Sequence, residues 1–227
     1  MDSLAIQARQ FGDKLSNIVS LGIELPGLRH RIKDTEVGLG IGAASGDPLP
    51  AATVVGEISI DQAVLAEVSA SPGVRRAFEL LQVELIPDAR REWRHFIKPL
   101  NQKQLVAASA LANEWRWHDR ALITLARADI FSDLEIRFPL VHTDKILSEA
   151  ETRDIDPAWV MAVARQESAF MADVRSSAGA MGLMQIMPKT GRMIARHLNT
   201  RLRSRYQLLS PETNIRFGAY YLRSVLD

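Results

Sequence analysis

The residue of this sequence best suited to acid/base chemistry is Glu167, in the stretch A-V-A-R-Q-E-S-A-F. An aspartate followed by a proline precedes this stretch and predicts a helix start. At helical spacing, Glu167 then lies on the same face as Val160, Val163 and Ala164. The pattern therefore places a carboxylate on an otherwise apolar stripe.

A carboxylate on an apolar stripe must be paired, neutralised or exposed in a cleft, because an isolated buried charge is very costly. No lysine or arginine lies three or four residues from Glu167, and Arg165, two residues away, points elsewhere on the helix. We therefore expect desolvation to raise the pKa of Glu167, as a general acid requires. The alternative is that Glu167 ends the stripe near the helix terminus and faces solvent. The periodicity favours neither.

The segment after this helix, S-S-A-G-A-M-G-L-M-Q-I-M-P, is rich in small residues and methionines around one glutamine, Gln185. Its glycines permit tight turns and close approach of a ligand, and Gln185 offers both an amide donor and an acceptor. Met184 and Met187 offer adaptable apolar surface. The composition fits a groove for an uncharged, acetamido-bearing ligand, and it fits a methionine-rich core segment equally.

The elements that must position these residues are helices. Ser71-Pro72, Asp156-Pro157 and Ser210-Pro211 each place a capping residue before a proline at the first helical position, where the missing N–H costs nothing. Short amphipathic patterns follow one another between residues 72 and 137. This succession is typical of a stacked array of helical hairpins.

Composition excludes several classes of protein. The chain has 227 residues, 47% of them hydrophobic, and a net charge of +1, so its overall charge predicts no nucleic-acid partner. No apolar run approaches the roughly 18 residues of a membrane span, so we expect no transmembrane segment. The absence of cysteine excludes disulfides, thiolate metal sites and thiol nucleophiles.

Other motifs give little support to other chemistries. The glycines of residues 38–50 loosely mimic a dinucleotide fingerprint, but prolines follow where a helix is required, so we interpret this stretch as a loop. No H-x-x-x-H pair and no G-x-S-x-G elbow occur, which disfavours a zinc or serine hydrolase. The basic cluster of residues 197–206 suits either an anionic polymer or solvent.

Two motifs in order, A-R-Q-E-S-A-F and then S-S-A-G-A-M-G-L-M-Q-I-M-P, resemble the catalytic signature of the soluble lytic transglycosylases of bacterial cell walls. Upstream, P-G-V-R-R-A-F-E-L-L, A-R-R-E-W and I-R-F-P-L resemble the helical linker region of that family. Downstream, L-L-S-P-E-T-N-I-R-F-G-A-Y-Y-L continues the likeness. It covers roughly residues 72–227.

The resemblance implies an all-α fold in three parts. Residues 1–71 would be the end of a superhelix of helical hairpins, with the Gly/Pro loop at 38–50, and residues 72–143 a helical linker domain. Residues 144–227 would be a lysozyme-like transglycosylase domain. This domain is expected to be incomplete, because the A-Y-N-A-G-P segment of the family does not occur in the chain. An unclosed groove would expose Glu167 to water.

The resemblance also assigns roles. The family's catalytic glutamate falls on Glu167, and its substrate-contacting positions fall on Ser176, Met184, Gln185 and Met187. Phe170 stands where many members have tryptophan, and Met181 replaces a small polar residue.

The implied reaction is cleavage of the β-1,4 bond between N-acetylmuramic acid and N-acetylglucosamine, leaving a 1,6-anhydromuramic end. It needs no metal and no cofactor. The implied partners are peptidoglycan glycan strands, together with cell-wall synthesis or remodelling proteins, and the implied location is the periplasm. Two alternatives stay open: a non-catalytic peptidoglycan- or protein-binding helical fragment, and a muramidase that uses water.

Overall fold

The computed structural model of the chain describes residues 59–226, which fall into two compact units, 59–139 and 140–226. The glycine- and proline-rich stretch 38–50 and most of the expected superhelical part, 1–71, lie outside the described residues.

The first unit consists of successive helices: α1 (Gln62–Ala70), α2 (Pro72–Gln82), α3 (Ile86–Ile97), α4 (Gln102–Glu114), α5 (His118–Arg127) and α6 (Leu134–Arg137). Short turns join α2 to α3 and α4 to α5, and each of these pairs packs closely. Glu84 and Arg116 adopt positive φ angles of 58° and 57° in these two turns. The amphipathic patterns therefore form helical hairpins.

The core of the first unit centres on Trp93 of α3, which is fully buried. Its ring packs edge-on against Phe96, Trp115 and Trp117, with centroid distances of 5.6, 5.8 and 5.5 Å. The indole Nε1 of Trp93 donates to Oγ1 of Thr124, 2.9 Å away, so its polar atom is satisfied inside the core.

The second unit contains α7 (Thr143–Thr152), α8 (Pro157–Ser168), α9 (Pro188–His197), a 3-10 helix (Arg205–Leu209) and α10 (Pro211–Leu226). The long connection between α8 and α9 holds two isolated β-bridges, Arg175 with Met181 and Met181 with Ile186. Because the described residues contain helices and no extended strand, the all-α prediction is confirmed.

The three predicted proline starts are confirmed, since α2, α8 and α10 begin at Pro72, Pro157 and Pro211. Asp156 caps α8 through its carboxylate, which accepts from the backbone N of Ala158 at 2.8 Å. Ser71 precedes α2 without a capping hydrogen bond from its side chain.

Helix α10 organises the second unit, because it packs against α7, α8, α9 and the 3-10 helix. Its buried face consists of Asn214, Ile215, Phe217, Gly218, Ala219 and Leu222. Within residues 59–226, no helix combines the length and apolar character that crossing a bilayer demands.

Candidate active site

Glu167 is the penultimate residue of α8 and is half-buried. The buried face of this helix is formed by Ala158, Val160, Met161, Ala164 and Ser168. Glu167 therefore lies at the edge of that face. The periodicity allowed either a buried or a solvent-facing position, and the observed position is intermediate between them. A carboxylate at such an edge is partly desolvated and still accessible to a ligand.

Glu149, another carboxylate of the same unit, shows how a buried carboxylate is stabilised by salt bridges when its role is structural. Glu149 of α7 is 8% exposed and lies between cations one turn away on either side. Its Oε1 is 2.6 Å from Nζ of Lys145, and its Oε2 is 3.1 Å from a guanidinium nitrogen of Arg153. Glu149 is therefore paired with cations one turn away on either side, as a buried structural carboxylate requires. Glu167 has no lysine or arginine at these helical positions.

The chain turns sharply after Glu167 through two consecutive left-handed residues, Ala169 (φ 50°) and Phe170 (φ 65°). The amide of Ala169 donates to the carbonyl of Arg165 at 2.9 Å, and Oγ of Ser168 donates to the carbonyl of Ala164 at 3.0 Å. Left-handed backbone is unfavourable for residues with a Cβ and is enriched at functional sites. This turn directs the chain away from α8 directly after the carboxylate.

Ser176 occupies a tight turn in the connection between α8 and α9. Its amide donates to the carbonyl of Ala180 and its Oγ accepts from the amide of Ala180, both at 3.0 Å. Gly179 closes the turn with φ 89°, a conformation that favours glycine. The Ser176 hydroxyl proton is not used by these bonds, so the hydroxyl retains donor capacity toward a ligand.

Gln185 adopts a left-handed conformation (φ 46°) and is half-buried. Its Nε2 donates to the carbonyl of Gly182 at 2.8 Å. Nε2 also donates to the carbonyl of Val174 at 3.4 Å, so the NH₂ group stabilises the loop, and the ligand contact of Gln185 stays a prediction. Met187 is half-buried just ahead of α9, and its carbonyl accepts from the amide of Gly191 at 2.8 Å.

The side chain of Met184, for which a ligand contact was also predicted, lies in the core of the unit and is 7% exposed. Its sulfur packs directly against Gly218 of α10, where an added Cβ would meet Sδ, Cε and Cγ of Met184. The segment thus combines both interpretations of its composition: Met184 belongs to the core, whereas Gln185 and Met187 are partly exposed.

Asn214 of α10 holds this segment in place. Its fully buried side chain accepts from the amide of Met184 at 2.7 Å and donates to the carbonyls of Met181 and Leu208 at 2.8 and 2.7 Å. Gly182 (φ 75°) lies so close that a Cβ there would meet the Leu208 carbonyl and the Asn214 amide. Asn214 therefore joins the loop, the 3-10 helix and α10.

Both units match families of known proteins. The family described as "Transglycosylase SLT domain" matches residues 144–227, and the family described as "Soluble lytic murein transglycosylase L domain" matches residues 67–134. These two segments belong to the soluble lytic transglycosylase family. The transglycosylase segment includes Glu167 and the whole of the loop that Asn214 holds.

Full-length relatives extend well beyond this chain. The soluble lytic murein transglycosylases of Salmonella typhimurium and Escherichia coli K12 are 35% and 34% identical over 185 residues. In both cases the match covers 78% of this chain and spans 29% of the relative.

Solved structures agree with this assignment. An inactive glutamate-to-glutamine mutant of the lytic transglycosylase Slt from Pseudomonas aeruginosa is 39% identical with a TM-score of 0.72, over 74% of this chain and 27% of that one. The 70 kDa soluble lytic transglycosylase of Escherichia coli is 32% identical with a TM-score of 0.68, over 76% and 28%.

Two supports of the transglycosylase loop escaped sequence reasoning. Asn214 and Gly218 lie one turn apart on α10, thirty or more residues after the loop residues that they contact. The only sequence signal was an asparagine at an interior helical position, where its propensity is poor. The consecutive left-handed residues after Glu167 had no signal, because neither is glycine.

Proposed function

We propose that this chain acts as a lytic transglycosylase on peptidoglycan, with Glu167 as the single general acid and base. The observation that carries the proposal is the position of Glu167: half-buried at the end of α8, directly before a left-handed turn, within the segment that matches the transglycosylase domain. The relative from Pseudomonas aeruginosa, inactive as a glutamate-to-glutamine mutant, supports an essential glutamate in the family.

In the proposed first step, the Glu167 carboxylic acid donates its proton to the oxygen that links N-acetylmuramic acid to N-acetylglucosamine. The bond from C1 of the muramic acid to that oxygen breaks, and the N-acetyl group of the same sugar stabilises the positive charge at C1. In this step Glu167 acts as a general acid, so the scheme begins with its carboxyl group protonated.

In the second step, the Glu167 carboxylate accepts the proton of the C6 hydroxyl of the muramic acid. The C6 oxygen attacks C1 of its own sugar, which gives the 1,6-anhydro product and restores the acid. Attack within one sugar has a large effective concentration compared with water. One carboxyl group is sufficient in this scheme, whereas most glycosidases use two.

The loop residues would position the glycan. Ser176 offers a hydroxyl donor, Gln185 offers the oxygen of an amide whose NH₂ group is oriented by Gly182, and Met187 offers apolar surface. Met184 anchors the loop through its contact with Gly218 of α10. The substrate implies a periplasmic location, with cell-wall synthesis or remodelling proteins as further partners.

The test is mass spectrometry of purified peptidoglycan incubated with the 227-residue protein and with Glu167→Gln. We expect anhydromuropeptides from the parent and at least a hundredfold fewer from the variant, because general acid–base catalysis contributes about 10²–10⁴-fold. Glu151→Gln, at an exposed position of α7, is the matched control and should release products at the parental rate.

The product ends separate the alternatives. Free reducing ends from the parent would identify a muramidase that uses water and would contradict the transglycosylase scheme. Glycan binding with no released products from folded parent protein would identify a non-catalytic binding fragment. Products from Glu167→Gln at the parental rate would exclude Glu167 as the acid and base.

A further inference from the structure

The transglycosylase unit carries a pair of arginines on one exposed tyrosine. The guanidinium carbon of Arg175 lies 5.0 Å from the ring centroid of Tyr206, and that of Arg205 lies 5.1 Å from it. A guanidinium nitrogen of Arg205 donates to the Tyr206 hydroxyl at 3.2 Å. Tyr206 is 50% exposed, so all three side chains form one accessible cluster.

This cluster has no acidic counterpart among the described residues. Neither Arg175 nor Arg205 takes part in any ion pair there. Residues 174–211 contain no aspartate or glutamate. The same stretch holds seven basic residues, namely Arg175, Lys189, Arg192, Arg196, Arg201, Arg203 and Arg205. Both guanidinium groups carry a positive charge beside the same ring, and no carboxylate neutralises them there, so an anion that binds at the cluster is stabilised electrostatically.

The chemistry of the cluster suits an oxyanion such as a carboxylate. A guanidinium that stacks on an aromatic face keeps its N–H edge available for bidentate bonds to a carboxylate. The hydrogen bond from Arg205, together with the positive charges of Arg205 and Arg175, lowers the pKa of Tyr206. The electrostatic potential at the Tyr206 hydroxyl is therefore positive, and it attracts a negatively charged group.

We propose that Arg175, Arg205 and Tyr206 bind a carboxylate of the peptide stems that peptidoglycan strands carry. The inference rests on the proposed function and adds a site for the peptide part of its substrate. Arg175 directly precedes Ser176 and pairs with Met181 across the turn that residues 176–180 form. Stems branch from the muramic acid, so a strand that contacts Ser176 brings its stem carboxylates to the same turn.

The experiment is a calorimetric titration of the full chain with a synthetic stem peptide that has free carboxylates, and with the same peptide amidated at every carboxylate. We expect the parent to bind the free form at least about tenfold more tightly, because hydrogen bonds between charged groups are the strong ones. Added salt should reduce this preference, since the cluster is exposed.

Three variants locate the site. Arg175→Gln with Arg205→Gln should abolish the preference, and Tyr206→Leu should weaken it by removing the platform. Arg203→Gln is the matched control: it lies between the same basic residues, is exposed and removes the same charge, and it should keep the preference. Circular dichroism confirms that each variant is folded.

Several outcomes would overturn the assignment. Equal affinity for the free and amidated peptides, or an unchanged preference in the double variant, excludes a carboxylate site at this cluster. A loss in Arg203→Gln as large as in the double variant indicates diffuse charge attraction instead. Competition by inorganic phosphate or by anionic vesicles at equal charge concentration indicates a general anion site. Because the readout is binding, its failure leaves the anhydromuropeptide test of Glu167 unaffected.

Discussion

At the scale of single residues, Asn214 makes the most exacting contacts of the transglycosylase unit, because both ends of its amide are used. Asn214→Asp keeps the shape but cannot donate to two carbonyls. We expect a loss of about 3 kcal/mol in the free energy of unfolding, since buried unsatisfied groups cost about 1–3 kcal/mol each. Urea denaturation followed by circular dichroism measures it. Asn199→Asp, at an exposed position, is the control and should change stability little.

His118 makes the stability of the folded chain depend on pH. It is the first residue of α5, its Nδ1 is buried without a hydrogen-bond partner among the described residues, and burial lowers its pKa from the ordinary value of 6.5. Below pH 6.5 the unfolded chain therefore binds more protons at this site than the folded chain does, so stability falls as the pH decreases. The loss is complete once the pH has passed below the folded pKa.

We expect His118→Gln to lose less stability than the parent between pH 7 and pH 5, as measured by thermal unfolding at each pH. His95→Gln, an exposed histidine of α3, should follow the parent. A parental pH dependence in His118→Gln would show that other groups cause it.

Residue by residue, the sequence indicated candidate site residues but not the residues that support them. Glu167, Ser176 and Gln185 were predicted from motifs because they are close together along the chain, and their roles stay predictions. Asn214 and Gly218 were not found, because a contact between residues thirty or more positions apart leaves no periodic signal. The burial of Met184 was not predictable, since composition cannot distinguish a groove from a core.

At the scale of elements, the junction between α10 and the loop depends on the fit of Met184 against Gly218. Gly218→Ala forces the thioether to move, and overpacking of this kind costs about 1–3 kcal/mol. Met184→Ala leaves a cavity at a cost of about 2–5 kcal/mol. In the double variant the new methyl group occupies part of that cavity.

We therefore expect the double variant to be more stable than the sum of the single effects predicts, by about 0.5–3 kcal/mol. Urea denaturation of the four proteins measures this coupling. Strict additivity would mean that Met184 moves away from Gly218 without cost.

Helix starts were predictable because their signals are local. The three pairs predicted to start helices, Ser71-Pro72, Asp156-Pro157 and Ser210-Pro211, each do so. The course of the loop between α8 and α9 was not predictable, because it depends on Asn214 and on left-handed residues other than glycine, Ala169, Phe170 and Gln185.

At the scale of the molecule, the two units have separate cores and separate fluorescent reporters. The chain has four tryptophans: Trp93, Trp115 and Trp117 lie in residues 59–139, and Trp159 lies in residues 140–226. In a Trp159→Phe background, fluorescence therefore reports only the first unit.

We expect Asn214→Asp in this background to leave the fluorescence midpoint in urea unchanged, while the midpoint by circular dichroism decreases. Proteins with several domains commonly depart from two-state unfolding in this way. A shift of the fluorescence midpoint as large as the shift by circular dichroism would show that the two units unfold as one.

The burial of Met184 also determines how the chain withstands peroxide. With no cysteine present, thioethers are the sulfur atoms open to oxidation. Met161, Met171, Met181 and Met184 are at most 7% exposed, whereas Met193 is 40% exposed. Among the methionines of residues 59–226, Met193 on the surface of α9 is therefore the one that a dissolved oxidant reaches most readily. The thioether of Met184 packs against Gly218 inside the unit, and this burial protects it from oxidation.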